Sequence, residues 1–118
     1  MKLLLDMKVL SVNKAWKGRR RKTEDYKKYE IDVARMIGRC ESGFTGPVQI
    51  TYTFYMINHT MADNDNPVKP LQDILVKLGY IEDDRFVYRT ILNKIPCDEN
   101  YAEIEIKQMK IPNKKTSV

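Results

Sequence analysis

The chain has 118 residues, a length that builds one domain with a real hydrophobic core. Its hydrophobic fraction of 42% and charged fraction of 31% are typical of a soluble globular protein and exclude a disordered or membrane-embedded chain. Two cysteines and one histidine exclude a multi-bridge secreted framework and a Cys/His zinc site, and the formal net charge of +5 favours an acidic polymer as partner.

The N-terminal residues predict a first strand. Leu3, Leu5, Met7 and Val9 alternate with mostly polar neighbours, which is the period of a half-buried strand. Charged residues interrupt the apolar N-terminal run too early for a signal peptide, and no run approaches the roughly 20 residues that span a bilayer. We therefore expect a cytoplasmic protein that does not contact a membrane.

A strongly basic segment follows, from Lys14 to Lys22. It holds six cations in nine residues, one aromatic side chain, Trp16, and no acid. Because these charges would repel one another on a packed surface, the segment predicts a mobile loop or a hairpin. Binding of a phosphate backbone, with Trp16 stacking on an exposed base or sugar, and a merely solvated loop explain this composition about equally well.

The next two segments are periodic. Thr23 is the predicted N-cap of a helix, and apolar residues at three- and four-residue spacing extend its buried stripe to about Cys40. Alternation of apolar and polar residues from Val48 to Met56 then predicts a strand. The helical stripe consists of Tyr26, Tyr29, Val33, Met36, Ile37 and Cys40.

A second helix is predicted from about Pro67 to the breaker Gly79, with Asn66 as its cap. Its predicted apolar face is formed by Leu71, Ile74, Leu75 and Leu78.

Two strands complete the pattern, from about Phe86 to Ile95 and from Tyr101 to Met109. The order β-α-β-α-β-β predicts an α+β fold, in which a single domain has one mixed sheet with two helices packed on it. We assign residues 1–109 to this domain and residues 110–118 to a basic C-terminal tail.

Acidic groups flank the second helix. Asp63 and Asp65 are two residues apart, so in extended chain their carboxylates point the same way and repel each other unless a cation lies between them. Mg²⁺ is the natural occupant, because it prefers oxygen ligands and takes one or two carboxylates together with a substrate phosphate. The second group, Glu82 to Asp84, follows the helix.

The acidic loop has other interpretations. An EF-hand beginning at Asp63 would place Val68 where glycine is required and Ile74 where the closing glutamate belongs, so the sequence argues against a calcium loop. An inert polar loop with Asx caps explains Asp63 to Asn66 alone better than a metal site does. The acids beyond the helix shift the balance toward a metal site, while His59 nearby is a less favoured ligand or proton carrier.

The order and spacing of these residues resemble those of RusA-type Holliday junction resolvases, which are small endonucleases associated with phages and prophages. The matching pattern is Asp63-Asn64-Asp65-Asn66 with Lys69, Asp73-x-Leu75, Gly79, and Asp83-Asp84 with Val87. The resemblance extends from Ser11-x-Asn13 to the last strand. It implies a crossover junction endodeoxyribonuclease, a magnesium-dependent homodimer that makes paired nicks in four-way DNA junctions during recombination and repair.

The resemblance also implies the roles of particular residues. Asp63, Asp65 and Asp84 would bind Mg²⁺, for which Mn²⁺ would substitute, and Lys69 would be the catalytic lysine that stabilises the transition state of phosphodiester hydrolysis. We expect branched DNA as the partner and no nucleotide cofactor. The residues expected to contact DNA are Asn13, Lys14, Trp16, Lys17, Arg19, Arg20, Arg21 and Lys22, although turn capping explains Asn13 equally well.

Pro70 departs from the resembling pattern. A proline at this position removes a backbone donor and biases Lys69 away from helical angles, which leaves the direction of the lysine side chain open. Asn64, where an apolar residue is common, is expected to affect only the packing of the loop.

The predicted length of the second helix raises a question about Asp84. A helix from Pro67 to Gly79 would span about 20 Å, whereas the five residues from Gly79 to Asp84 reach at most about 17 Å. We therefore expect either that Asp84 joins the Asp63/Asp65 pair of a second subunit or that the helix is shorter.

A non-catalytic phage nucleic-acid-binding module is the alternative from a different class. The sequence has no helix-turn-helix pattern, and a protein that only binds DNA has no use for carboxylates that repel phosphate. Magnesium-dependent nicking of a synthetic junction discriminates between the two functions.

Overall fold

A four-stranded mixed sheet carries two helices on one face, which confirms the predicted α+β fold. The computed structural model describes residues 1–10, 16–17, 21–57 and 67–110, with the backbone alone at 16, 17 and 21. No helix in these ranges is long and apolar enough to cross a membrane. The elements are β1 Lys2–Leu5, β2 Trp16–Lys17, β3 Arg21–Lys22, α1 Glu24–Ile37, β4 Val48–Met56, α2 Val68–Lys77, a 3₁₀ helix Asp84–Phe86, β5 Val87–Pro96 and β6 Tyr101–Gln108.

The strand order of the main sheet is β1-β6-β4-β5. β4 pairs parallel to β5, whereas β6 pairs antiparallel to both β4 and β1. A parallel pair of neighbouring strands requires a crossover connection, and here α2 lies within that connection. The two acidic groups of the sequence therefore stand before and after the crossover helix.

The core lies between the helices and the face of the sheet that they cover. Ile50, Tyr52 and Phe54 alternate along β4 and are fully buried, opposite Ile106, Ile104 and Ala102 of β6. Burying each such large side chain stabilises the fold by about 1.5–3 kcal/mol. The predicted apolar face of α2 is buried in the same cluster, through Leu71, Ile74, Leu75 and Leu78.

α1 begins as predicted but ends earlier. The Thr23 hydroxyl accepts a hydrogen bond from the Tyr26 N–H at 3.1 Å, which confirms the N-cap. The helix stops at Ile37 because Gly38 adopts a positive φ of 69°. Consequently the helix does not extend to Cys40 as predicted, although Cys40 still packs partly buried against the core, and Met36 is exposed.

The N-terminal segment also differs from its prediction. β1 ends at Leu5, so the strand does not reach Val9, although Val9 is buried. β2 and β3 pair antiparallel, with Trp16 opposite Lys22 and Lys17 opposite Arg21. This antiparallel pairing agrees with a hairpin, one of the two forms predicted for the basic segment.

Candidate active site

Lys69 and Asp73 lie on one face of α2 at i,i+4 spacing. The Lys69 Nζ is 3.5 Å from Asp73 Oδ2, and 60% of the lysine side chain is exposed against 26% of the aspartate. The helix thus presents one cation to solvent and holds one carboxylate partly buried beside it.

Asp84 returns to the middle of this same helix. The side-chain amide of Gln72 donates from Nε2 to Asp84 Oδ1 at 3.2 Å. Asp84 also lies within interaction distance of Asp73, whose pKa it raises. The described part of the chain therefore brings Lys69, Asp73 and Asp84 together on the surface of α2.

The electrostatics of Asp73 reflect this crowding. Burial raises the pKa of the Asp73 carboxyl above its usual range, the Lys69 charge opposes the rise, and the neighbouring Asp84 adds to it. Two neighbouring carboxylates beside one lysine leave an excess of negative charge. Such an excess is common where a protein binds a cation.

The turn after α2 is built to bring the chain back. Gly79 has a φ of 87° and its N–H donates to the Val76 carbonyl at 3.1 Å, while the Tyr80 N–H donates to the Leu75 carbonyl at 3.0 Å. These two bonds form a Schellman motif that ends the helix, as the predicted breaker requires. A Cβ on Gly43 would overlap the Gly79 carbonyl oxygen, so the segment after α1 packs backbone to backbone against this turn.

The second acidic group separates in three directions. Glu82 accepts a hydrogen bond from the Gly46 N–H at 3.1 Å, and Asp83 lies 3.8 Å from Arg85. Only Asp84 of the three is hydrogen-bonded to α2. Glu82 thus bonds to the segment that precedes β4, whereas Asp84 is the member placed beside Lys69 and Asp73.

Pro70 does not turn Lys69 away from the helix, contrary to the expectation. α2 begins at Val68, with Pro67 at the cap position and no side-chain cap bond, so Pro70 falls in the first turn. The missing N–H of a first-turn residue removes no intrahelical bond. Lys69 is accordingly helical, and Tyr26 donates its hydroxyl hydrogen to the Pro70 carbonyl at 3.2 Å.

The shorter-helix alternative for Asp84 agrees with the structure. α2 has ten residues and spans about 15 Å rather than 20 Å. Asp84 contacts Gln72, which is only about 8 Å along the helix axis from Pro67. Asp84 is therefore close to the first half of α2, and the helix length no longer requires a second subunit.

Several predicted residues lie outside the described ranges, so their placement stays a prediction. These are Asn13, Lys14, Arg19, Arg20, His59, Asn64, Asp63, Asp65 and Asn66, the side chains of Trp16, Lys17 and Arg21, and the tail at 111–118.

Lys22 is the one predicted DNA contact whose side chain is described. Its Nζ lies 2.9 Å from Glu30 Oε1 and 5.1 Å from the ring centre of Tyr26. Glu30 also pairs with Lys77 at 2.8 Å. Lys22 therefore anchors the base of the hairpin to α1, and Glu30 links that anchor to α2.

No role for Gln72 or Asp73 is predicted from the sequence. A signal for Asp73 was present, because a carboxylate four residues after Lys69 on a helix must lie on the same face as the lysine. Gln72 had no such signal, since its contact with Asp84 depends on the path of the turn between them.

The donor types fit a hard divalent cation. Asp73 and Asp84 offer carboxylate oxygens, the ligand class that Mg²⁺ prefers. Within the described ranges, no three His, Cys, Asp or Glu side chains form a cluster that could hold a metal. A complete oxygen site at Asp84 would need further ligands from elsewhere in the chain.

Comparison with known proteins identifies a family for the chain. A family model described as Endodeoxyribonuclease RusA matches residues 9–107, a range that includes Lys69, Asp73 and Asp84. No curated protein matches the chain significantly. Because the family match covers most of the sequence and the resemblance rests on the same residues, the chain belongs to the RusA family of Holliday junction resolving endodeoxyribonucleases.

Proposed function

We propose that this protein is a Mg²⁺-dependent endonuclease that resolves four-way DNA junctions by paired nicks in recombination and repair. The observation that carries the proposal is the return of Asp84 to α2, beside Asp73 and Lys69. In a RusA family member of net charge +5, a local cluster of acids beside a lysine suits metal-assisted attack on a phosphodiester.

Asp84 would bind Mg²⁺ together with Asp63 and Asp65. When bound, Mg²⁺ lowers the pKa of a water ligand and neutralises charge on the scissile phosphate. The position of Asp84 supports a cation here, because it adds a second carboxylate beside Asp73, whose pKa is raised first by burial and further by Asp84.

Lys69 would act on the DNA directly. Its side chain is 60% exposed, and Asp73 holds its ammonium group 3.5 Å away, at the border of the acids. From there the ammonium can stabilise the additional negative charge of the transition state or of the leaving oxygen.

The basic hairpin would provide the DNA grip. Cations on a paired ribbon can follow a phosphate backbone, and each phosphate neutralised makes binding fall more steeply with salt. The ion pair of Lys22 with Glu30 at the base of the hairpin supports this role, because it fixes the ribbon to α1.

A homodimer suits a junction that presents two equivalent strands. Among the described strands, β5 pairs with β4 alone, so its outer edge is open. Leu92 and Ile95 on this strand are 38% and 39% exposed, and Tyr88 is more exposed still. An open, partly apolar strand edge is a surface on which a second copy can pair.

Asp84→Asn tests the catalytic proposal, with Asp83→Asn as a matched control. Nicking is measured on a synthetic four-way junction and on a linear duplex of the same sequence, in Mg²⁺ and in EDTA. We expect wild-type protein to nick only the junction and only in Mg²⁺. Asp84→Asn should bind the junction normally but nick it at least about 100-fold more slowly, because a metal ligand is lost.

The control variant separates the two neighbouring aspartates. Asp83 faces Arg85, so Asp83→Asn should nick the junction at the wild-type rate. Wild-type cleavage by Asp84→Asn would contradict the metal site. Equal cleavage of duplex and junction would reduce the activity to a general nuclease, and binding without nicking by wild-type protein would support the non-catalytic module.

A further inference from the structure

A chain of three hydrogen-bonding groups leads from the core to Asp84. The Tyr52 hydroxyl donates to Gln72 Oε1 at 3.0 Å, and Gln72 Nε2 donates to Asp84 Oδ1 at 3.2 Å. Tyr52 is fully buried at the centre of β4, Gln72 is half-buried on α2, and Asp84 is exposed. Each group is therefore more confined than the next one outward.

We propose that Tyr52 and Gln72 are positioning residues that hold the Asp84 carboxylate in the orientation in which it binds the divalent cation. This inference rests on the proposed function, because it assumes that Asp84 is a metal ligand. It concerns a different property, namely which residues set the affinity of that ligand for the metal.

The direction of the hydrogen bonds is fixed by the chemistry of the groups. An ionised carboxylate only accepts, so Gln72 must turn its NH₂ group to Asp84 and its carbonyl oxygen to Tyr52. The Tyr52 hydroxyl must then donate. Burial raises the pKa of Tyr52 above its usual range, and Asp84 raises it further, so the phenol keeps this proton throughout the working pH range.

On its own, the exposed Asp84 side chain is not held in one orientation. An exposed aspartate samples several rotamers, and a ligand that must be ordered on binding loses affinity. The Tyr52 side chain is fixed by packing in the core. Through Gln72 it restricts the orientation of the Asp84 carboxylate in the metal-free protein. Outer-shell hydrogen bonds to ligating carboxylates typically contribute a factor of 10 to 100 in metal affinity.

The test measures Mn²⁺ binding to DNA-free protein by electron paramagnetic resonance, in Tyr52→Phe, Gln72→Met and the double variant. We expect the Kd for Mn²⁺ to rise about tenfold in Gln72→Met and by a comparable factor in Tyr52→Phe. Because Tyr52 acts through Gln72, the double variant should bind no more weakly than Gln72→Met. In junction cleavage, the half-saturating Mg²⁺ concentration should rise while kcat at saturating Mg²⁺ stays near wild type.

Matched controls separate positioning from loss of stability. Tyr80→Phe removes a hydroxyl that donates to the Ile37 carbonyl of α1 at 2.6 Å, and Gln49→Met makes the same change as Gln72→Met on the face of β4 opposite to Tyr52. Both should keep the wild-type Kd for Mn²⁺, even where Tyr80→Phe lowers Tm.

The outcomes distinguish the inference from the function on which it rests. If Asp84→Asn abolishes Mn²⁺ binding while Gln72→Met and Tyr52→Phe bind as wild type, the positioning roles are wrong and the metal site stands. If wild-type protein binds no Mn²⁺, or Asp84→Asn binds it normally, the ligand assignment and the inference are both overturned. Additive losses in the double variant would also overturn the serial arrangement.

Discussion

Asp73 is the residue at which folding stability and the proposed chemistry are most directly opposed. Its pKa is raised by burial and by Asp84, so the ionised form of Asp73 destabilises the folded protein. Asp73→Asn removes this destabilisation and should raise the free energy of unfolding at pH 7. We expect a gain of about 0.5 kcal/mol, kept small because the carboxylate is partly exposed and its pair with Lys69 is lost.

The pH dependence of this gain follows from the raised pKa. A carboxyl whose pKa is raised by folding contributes stability at pH values below its unfolded pKa, about 3.8. This contribution is lost as pH rises through the folded pKa. The advantage of Asp73→Asn should therefore vanish in urea unfolding below about pH 3.8. Asp83→Asn, which alters an exposed pair with Arg85, should give no gain, and a destabilised Asp73→Asn at pH 7 would contradict the prediction.

At the scale of elements, Glu30 joins the basic hairpin, α1 and α2. Although burial acts to raise its pKa, hydrogen bonds from Lys77 and Lys22 lower the pKa of Glu30 below its usual range. Glu30→Gln should therefore destabilise the protein at pH 7 by about 1 kcal/mol, measured by urea unfolding. A carboxyl whose pKa is lowered by folding stabilises the folded protein at pH values above its unfolded pKa of about 4.5. This contribution is lost as pH falls through the folded pKa.

The loss in Glu30→Gln should thus shrink as pH falls below about 4.5. Glu24→Gln is the control, because Glu24 pairs with Lys27 while 90% exposed and should change stability little over the same pH range. Equal losses in both variants, or a loss in Glu30→Gln that does not shrink as pH falls, would show that the cluster does not join the elements.

Helices and strands with a strong local periodicity were predictable from the sequence, whereas the contacts between them were not. The alternation along β4 and the apolar face of α2 follow from burial on one side, so both were predicted correctly. The end of α1 was predicted too late, because the apolar stripe continues past Gly38 in the sequence. The positive φ of Gly38 ends the helix there. The contact of Gln72 with Asp84 depends on a turn and a backbone approach at Gly43, which no local pattern contains.

At the scale of the whole molecule, the position of Asp84 bears on how the proposed homodimer would divide its two sites. Asp84 contacts α2 of its own chain, about 8 Å along the helix from Pro67. The residues that lead into Pro67 include Asp65 and Asp63. Because this axial distance is short, we expect each protomer of the proposed dimer to carry its own complete site.

Two mixed dimers, purified through different tags on the two chains, test this arrangement. The first pairs an Asp65→Asn protomer with an Asp84→Asn protomer, and the second pairs wild type with a chain that carries both substitutions. With sites inside single subunits, the first dimer has no intact site and should not nick a labelled junction. The second keeps one site and should nick one strand. Sites shared between subunits reverse both results, because the first dimer would then retain one intact site and the second none.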